Sequence, residues 1–334
     1  MRSTIKDVST AAGVSMKTVS RVLNKEKYVS EETRLRVERA MAELSFHPSQ
    51  AARALAGKRS HQIALIYDNH SPHYIHQIQT GVWARCVEEG VRLLAQPCDV
   101  ALPSLGDEVG GLIDQTQVDG VILSSPVTDA VAALEALESR RVPYVRISPG
   151  TEHERSSSVS MDDVQAADDM TSHLIALGHR RIGFIIGHQN HTASDLRLYG
   201  YRRALDRAGL AFEPKYVRPG AFDFASGEAA ADVLLDLPIP PTAIFASNDD
   251  MAAGVLTVAH RRGIAVPGSL SVAGFDDTAL ASQLWPPLST VRQPTRELAY
   301  AAASLLFGGE DVITHRRLPH ELVLRGSTAV CRKG

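Results

Sequence analysis

Thr4-Ile-Lys-Asp-Val-Ser-Thr-Ala-Ala-Gly-Val-Ser-Met-Lys-Thr-Val-Ser-Arg-Val-Leu-Asn24 holds two short helical periods separated by a glycine. Thr4 has the chemistry of an N-cap, and Ile5, Val8 and Ala12 fall on one face of a first helix. Gly13 breaks that helix, and Ser15 can cap a second one whose Val19, Val22 and Leu23 turn inward. Met16, Lys17, Ser20, Arg21 and Asn24 are then left on or near the outer side. Two short helices joined by a glycine turn, the second carrying an outward row of polar and basic residues, suit insertion into a DNA major groove. The competing reading of these residues alone is a pair of surface helices with Lys17 and Arg21 solvated.

The charge distribution favours the groove. The 334 residues carry a net charge of −3, but residues 1–60 hold 12 Lys and Arg against 6 Asp and Glu, and the remainder 23 against 32. A small basic head on a larger acidic body concentrates phosphate attraction at one end. A hydrophobic content of 44% and a charged content of 22% are those of a soluble globular protein with room for two or three cooperative units. Cys86, Cys98 and Cys331 are unevenly spaced and form no disulfide framework, which predicts thiols in a reducing cytoplasm. No apolar signal segment and no 18-residue apolar run occurs, so neither export nor membrane insertion is expected.

Ser30-Glu31-Glu32-Thr33 reads as the start of a third helix, with Leu35, Val37, Ala40, Met41 and Leu44 at helical spacing and His47-Pro48 beyond its end. Residues 1–46 therefore form a three-helix unit. Residues 49–56 favour helix but make only about two turns, too short to be stable alone in water. Gly57-Lys-Arg-Ser60 follows as a flexible basic linker. Residues 47–60 are either a plain connection or a segment that folds on binding.

From His61 the pattern changes. Apolar runs at 63–67, 91–95, 120–124, 142–147, 181–186, 243–246 and 270–274 alternate with helical stretches such as 74–89, 130–139, 164–177 and 196–208. That rhythm predicts α/β structure with mostly parallel sheets in two doubly wound lobes. Ligands of such sheets sit beyond the C-terminal ends of the strands, where this chain places Asp68-Asn69, Ser124-Ser125, Arg146, His188, Asn248-Asp249 and Asp276-Asp277. A cleft for a small polar molecule is expected there.

Thr18-Val-Ser-Arg-Val-Leu-Asn24, Val29-Ser30-x-x-Thr33 and Ala51-Ala-Arg-Ala-Leu-Ala-Gly57 together closely resemble the lac repressor/gal repressor family. The resemblance continues through Leu177–Phe184, Ala246–Gly254, Ser271–Asp277 and Trp285–Pro294, in the family's order and over essentially the whole chain. It implies an N-terminal all-α helix-turn-helix plus hinge helix, followed by a two-lobed α/β periplasmic-binding-protein-like domain. The expected division is 1–46 for DNA binding, 47–60 for hinge and linker, and 61–334 for effector binding and dimerisation. Within the last, the N-lobe spans about 61–160 plus 292–320 and the C-lobe about 161–291 plus 321–334.

By the same resemblance the chain is a homodimer that grips a pseudo-palindromic operator in double-stranded DNA. Met16, Lys17 and Arg21 would face base edges, with Arg21 the candidate for a bidentate guanine contact. Thr4, Ser15, Ser20, Asn24, Tyr28 and Ser30 would mainly position phosphates, and Thr18 is a further DNA-binding residue. In the hinge, Ala52 and Leu55 would enter the minor groove, Leu55 as the wedge that opens a central base step. Arg197 and Asp276 match the family's effector-holding pair, and a planar guanidinium and a carboxylate can each grip two hydroxyls of a sugar. Asn248 is a further match, Phe222 falls where an aromatic covers the sugar's apolar face, and Pro72, Tyr74, Ser124 and Arg146 complete the expected lining. Arg146 stands where well-known members carry an acid, which leaves a uronate-like effector open.

The remaining motifs read more plainly. His70-x-x-His73-x-x-His76 has no carboxylate or cysteine nearby and reads as surface or cleft histidines, not a metal site. The acidic pairs at 162–163, 168–169, 249–250 and 276–277 could suggest a glycosidase, but Asp162 and Asp249 suit helix starts. No G-x-S-x-G, P-loop or G-x-G-x-x-G occurs. No catalytic residue, metal or cofactor is expected. The chain reads as a cytoplasmic, sugar-responsive transcription regulator, a repressor, without a tetramerisation helix. The alternative is a two-lobed solute-binding protein without a transcriptional role, against which the basic head argues.

Overall fold

The computed structural model describes residues 3–23, 28–46, 60–69, 71–309 and 312–332. The head contains α1 (Ile5–Ala12), α2 (Met16–Leu23) and α3 (Glu31–Glu43). Thr4 and Asp7 cap α1 reciprocally: the Thr4 hydroxyl accepts from the Asp7 amide, and the Asp7 carboxylate accepts from the Thr4 amide at 2.8 Å. The Thr4 hydroxyl also donates to the Asp7 carboxylate at 2.7 Å, and this bond with the amide one holds the Asp7 carboxyl below its ordinary range. Gly13 closes α1 in the left-handed region at φ 63°, as a glycine can at no steric cost.

Val8, Ala12, Val19, Val22, Val37, Ala40 and Phe46 form the head's small core. Leu35 was expected to join it but is 55% exposed. The inward stripe of α3 runs through 37, 40, 41 and 44, and a residue two positions before Val37 lies about 200° around the helix from it. The predicted hinge helix at 49–56, with Ala52 and Leu55, lies outside the described residues, as does Asn24.

The body holds two six-stranded sheets. The first takes β1 (Gln62–Tyr67), β2 (Arg92–Pro97), β3 (Val121–Leu123), β4 (Tyr144–Ile147), β5 (Ser158–Ser160) and β11 (His315–Arg317), in the order β11-β5-β4-β3-β1-β2. The second takes β6 (Ile182–Ile185), β7 (Val217–Arg218), β8 (Ala243–Ala246), β9 (Ser271–Asp276), β10 (Ser289–Arg292) and β12 (Glu321–Val323), in the order β12-β10-β9-β8-β6-β7. Every pairing is parallel except that of β10 with β12. The expected two doubly wound parallel lobes are therefore present.

Alternation within each strand sends side chains to helices on both faces of a sheet. In the first sheet Ile63, Leu65 and Ile122 pack with α4 (Pro72–Glu89) and α12 (Thr295–Gly308), while Ala64, Ile66 and Val121 pack with α5 (Leu105–Thr116) and α6 (Val131–Ser139). In the second, Phe184 and Phe245 meet α7 (Asp163–Ala176) and α8 (Thr192–Arg207). Ile185, Ile244 and Val272 meet α9 (Phe224–Leu235) and α10 (Asp249–Arg261). A short α11 (Ala279–Gln283) follows β9. The α8 helix begins four residues before the apolar stretch that marked it, because its first turn faces the cleft and is polar.

Helices α4 and α12 approach closely at Gly81, where a Cβ would lie 2.2 Å from the Arg296 carbonyl oxygen and 2.7 Å from the Ala299 methyl. Gly81→Ala is expected to cost about 1–3 kcal/mol through overpacking, measured by denaturant unfolding. A variant as stable as the parent would show that the helices can part without cost. Among the described residues, no helix is long and apolar enough to cross a membrane.

Candidate functional site

The segments leaving β1, β3, β4, β5, β6, β7, β8, β9 and β10 converge on one cavity between the two sheets. From the first sheet's side come Asn69, Ser71, Tyr74, Ser125 and Ser148, and from the other Asp163, His191, Arg197, Phe222, Asn248, Asp276 and Gln293. Tyr74, Arg197, Phe222, Asn248 and Asp276 are thus brought together as expected from their positions.

Arg197 is buried on α8. Its Nε donates to Asp163 at 2.8 Å, one terminal nitrogen donates to the Ser247 carbonyl at 2.6 Å, and the guanidinium lies 3.6 Å from the Phe275 ring centroid. Its distance to the Asp276 carboxylate is 4.0 Å, so the direct partner is Asp163 and not Asp276. Asp276 instead accepts from Gln293 at 2.5 Å. Burial pushes the Asp276 carboxyl up to about 7, against the opposing pull of Arg197. Asp249, expected to begin a helix, does open α10 but is also fully buried. Its carboxylate accepts from Thr290 at 2.6 Å and from the Thr278 amide at 2.8 Å, and burial raises its pKa as well.

Phe222 sits in the left-handed region at φ 61°. Its ring fills the space over Gly187 so closely that a Cβ there would lie 2.0 Å away. Asn248 holds this geometry: its amide donates to the Phe222 carbonyl at 2.8 Å while its oxygen caps α10 through Met251 at 2.9 Å. Asn248 therefore lines the cavity with both functional groups already engaged. The cavity measures about 40 Å³, room for a few waters. A sugar ring needs far more, so occupancy requires Phe222 to swing out or the lobes to part. Contacts across the lobes hold the present arrangement: Thr192 to Asp129 at 3.3 Å, Ser71 to Asp250 at 3.4 Å, and Ser125 to His191 at 3.5 Å.

Three expected lining residues stand elsewhere. Pro72 is the exposed first residue of α4, where its fixed φ and missing N–H suit a helix start. Ser124 is buried outside the lining, and its neighbour Ser125 takes the place. Arg146 is fully buried and does not line the cavity. Its guanidinium donates to Ser156 Oγ at 3.0 Å, to the Thr151 carbonyl at 3.0 Å and to the Glu152 carbonyl, with Asp129 at 4.0 Å. These bonds tie down the 148–156 loop, and Arg146 gives no support for a uronate-like ligand. Sequence reasoning passed over Asp163, Ser71, His191 and Gln293. Asp163 lies three residues beyond β5, whose Ser-Val-Ser is too short and polar to be read as a strand from the sequence.

On the head, Met16, Lys17 and Arg21 are exposed along α2, and Tyr28 is almost wholly exposed. Ser15 accepts from the Thr18 amide at 3.1 Å and Ser30 from the Thr33 amide at 3.3 Å, so both cap helices, as Thr4 does. Ser20 and Thr18 are half-buried.

A small helical head carrying an exposed basic helix, followed by two parallel sheets around a polar cleft, defines a ligand-responsive DNA-reading protein. The chain belongs to the lacI family of bacterial regulatory proteins, whose sequence model matches residues 4–49, and a periplasmic binding protein-like domain matches residues 171–328. It is 36% identical over 335 residues to the HTH-type transcriptional regulator DegA of Bacillus subtilis (strain 168), covering 98% of this chain and 99% of that one. It is 34% identical over 314 residues to the ribose operon repressor of Escherichia coli (strain K12), covering 94% and 93%. The lac repressor dimer bound to operator and the anti-inducer ONPF superposes with a TM-score of 0.86 at 31% identity, covering 98% and 100%.

Proposed function

We propose that this protein is a cytoplasmic, homodimeric transcription repressor that binds a pseudo-palindromic operator and responds to a sugar or sugar-derived effector. The observation that carries the reading is the cavity in which Arg197, Asp276 and Phe222 meet, in the same chain as an exposed Met16-Lys17-Arg21 row. Carboxylate and guanidinium grip hydroxyls, and the aromatic face covers the C–H surface of a ring. The names of its relatives support both halves, since one is a ribose operon repressor and another is a lac repressor on its operator. The division at 46 and 60 assigns DNA reading to the head, spacing of the two subunits to residues 47–60 with Ala52 and Leu55, and sensing to the rest.

Effector must bind the two lobe arrangements with different affinity to change operator occupancy; tight binding alone changes nothing. A thermal-shift screen of sugars tests the sensing half, because a ligand that prefers the native state raises its melting temperature. No carbohydrate shift and no turnover of glycosides would leave the cleft without this role. For the DNA half, Arg21→Ala is expected to cost roughly 1–3 kcal/mol of specific binding and to relax one operator position. Quantitative footprinting on operator variants checks it, and an equal loss on every sequence would assign Arg21 to phosphates.

A further inference from the structure

We infer that the effector carries no acid group: the cleft selects an uncharged polyhydroxyl ligand over its uronate and phosphate-ester counterparts. The inference rests on the carbohydrate reading above and adds a charge to it. Two carboxylates, Asp163 and Asp276, and one guanidinium, Arg197, face the cavity, with Asp249 and Asp250 behind them on α10. Arg197 is already engaged by Asp163 and the Ser247 carbonyl, with Asp276 at 4.0 Å. An anion placed there would compete with two buried carboxylates for one cation. Of the other cations near these loops, Arg146 is spent on Ser156 and on backbone carbonyls, and Arg292 and Arg325 are both paired with Asp277. The imidazole of His191 lies against Phe222, at 5.3 Å between centroids, and faces Ser125.

Helix N-termini are the usual alternative source of positive potential for an anion. Here α4, α7, α8 and α10 all begin at the cleft, and the last three carry their own acids in the first turn: Asp163, Asp195, and Asp249 with Asp250. Helix α4 has none and is met across the lobes by Asp250 at the Ser71 hydroxyl, 3.4 Å away. Asp162 and Asn248 further occupy amides of α7 and α10 at 2.9 Å each. The partial charge of those helix ends is thus matched from within the chain. Neutral hydroxyls can donate to the carboxylates and accept from Arg197 without disturbing that balance, whereas an added negative charge cannot.

The test is a thermal-shift and titration series on the full chain at pH 8 with matched sets: free aldoses and alditols, the corresponding uronic and aldonic acids, and the sugar phosphates. The expected result is a stabilising neutral member whose acid and phosphate forms bind roughly 100-fold more weakly or not at all. An acid or phosphate that binds more tightly than its neutral parent overturns the charge inference and leaves the carbohydrate reading standing. A panel inert throughout overturns both. Asp163→Asn, which releases the Arg197 Nε, is expected to narrow the discrimination by roughly tenfold; discrimination unchanged in a folded variant removes Asp163 from the assignment.

Discussion

Asp276→Asn is expected to lower effector affinity by roughly 100-fold while leaving effector-free operator affinity within about twofold. Two hydroxyl donors to a carboxylate contribute about 1.5–3 kcal/mol each at most, and the isosteric amide keeps one acceptor, so a loss of about 3 kcal/mol is the upper range. The Gln293 amide, which donates to Asp276 at 2.5 Å, can still bond the Asn oxygen, so the fold should survive. The pH dependence is the sharper readout. With its carboxyl raised to about 7 by burial, Asp276 is protonated below that value, and a ligand that needs the carboxylate binds progressively better as the pH climbs through it. Affinity in the parent should rise roughly tenfold between pH 6 and pH 8, and the variant should be flat over that interval.

Stability carries the opposite sign. A carboxyl with a raised folded-state pKa binds more protons folded than unfolded, so this contribution falls as the pH rises from the unfolded value, about 4, to the folded value of about 7. The ligand-free parent should therefore lose stability over that window relative to Asp276→Asn. Melting curves of both proteins across it, without ligand, measure the difference. Parallel curves would mean that Asp276 titrates normally.

Arg146→Ala is expected to be the more damaging substitution, and for stability instead of sensing. The guanidinium is fully buried, and its removal strands the Thr151 and Glu152 carbonyls and takes a donor from the Ser156 hydroxyl, leaving Asp129 held by Gly150, Thr151 and Thr192 alone. Breaking a buried charged network by removing one member costs about 3–5 kcal/mol, or roughly 10 °C in melting temperature for a body of this size. Burial lowers the Arg146 pKa from the ordinary arginine value, and the nearby Asp129 carboxylate opposes that shift. Circular dichroism melts decide the matter: a variant within about 1 kcal/mol of the parent would show that the 148–156 loop holds without it. Because Asp129 also reaches Thr192 across the lobes, a weakened loop should loosen the closed cleft as well.

The architecture was legible because its signals are local and repeated. Apolar runs flanked by helical periods marked β1 to β4, β6, β8 and β9 within a few residues and missed the short β5, β7, β10, β11 and β12. Caps such as Thr4, Ser15 and Ser30 stand where hydroxyls were read as caps. The cleft was legible only in part. Strand-end position predicts which loops reach it but not which way a side chain turns, and Arg146 on β4 turned to the loop carbonyls instead of the ligand space. Ser124 and Ser125 are adjacent, and one residue's difference in register separates a buried position from a lining one. Asp163 was hidden by its chemistry: a carboxylate beside another at a helix start reads as a cap, and its bond to Arg197 joins positions 34 residues apart. Leu35 was misplaced for a simpler reason, its offset from the stripe that begins at Val37.

The order of strands in the two sheets has a consequence for how the protein is made. The first sheet draws β1 to β5 from residues 62–160 but takes its edge strand β11 from His315–Arg317 and one of its covering helices, α12, from Thr295–Gly308. The second sheet likewise waits for β12 at Glu321–Val323. On the ribosome, the early half of the body must therefore leave one face of its first sheet covered by α4 alone until α12 emerges. A premature stop codon before His315 would truncate both lobes at once, not one. The small head, whose core is complete by Phe46, has no such dependence, so nascent chains acquire the part that reads DNA long before the ligand cleft is complete.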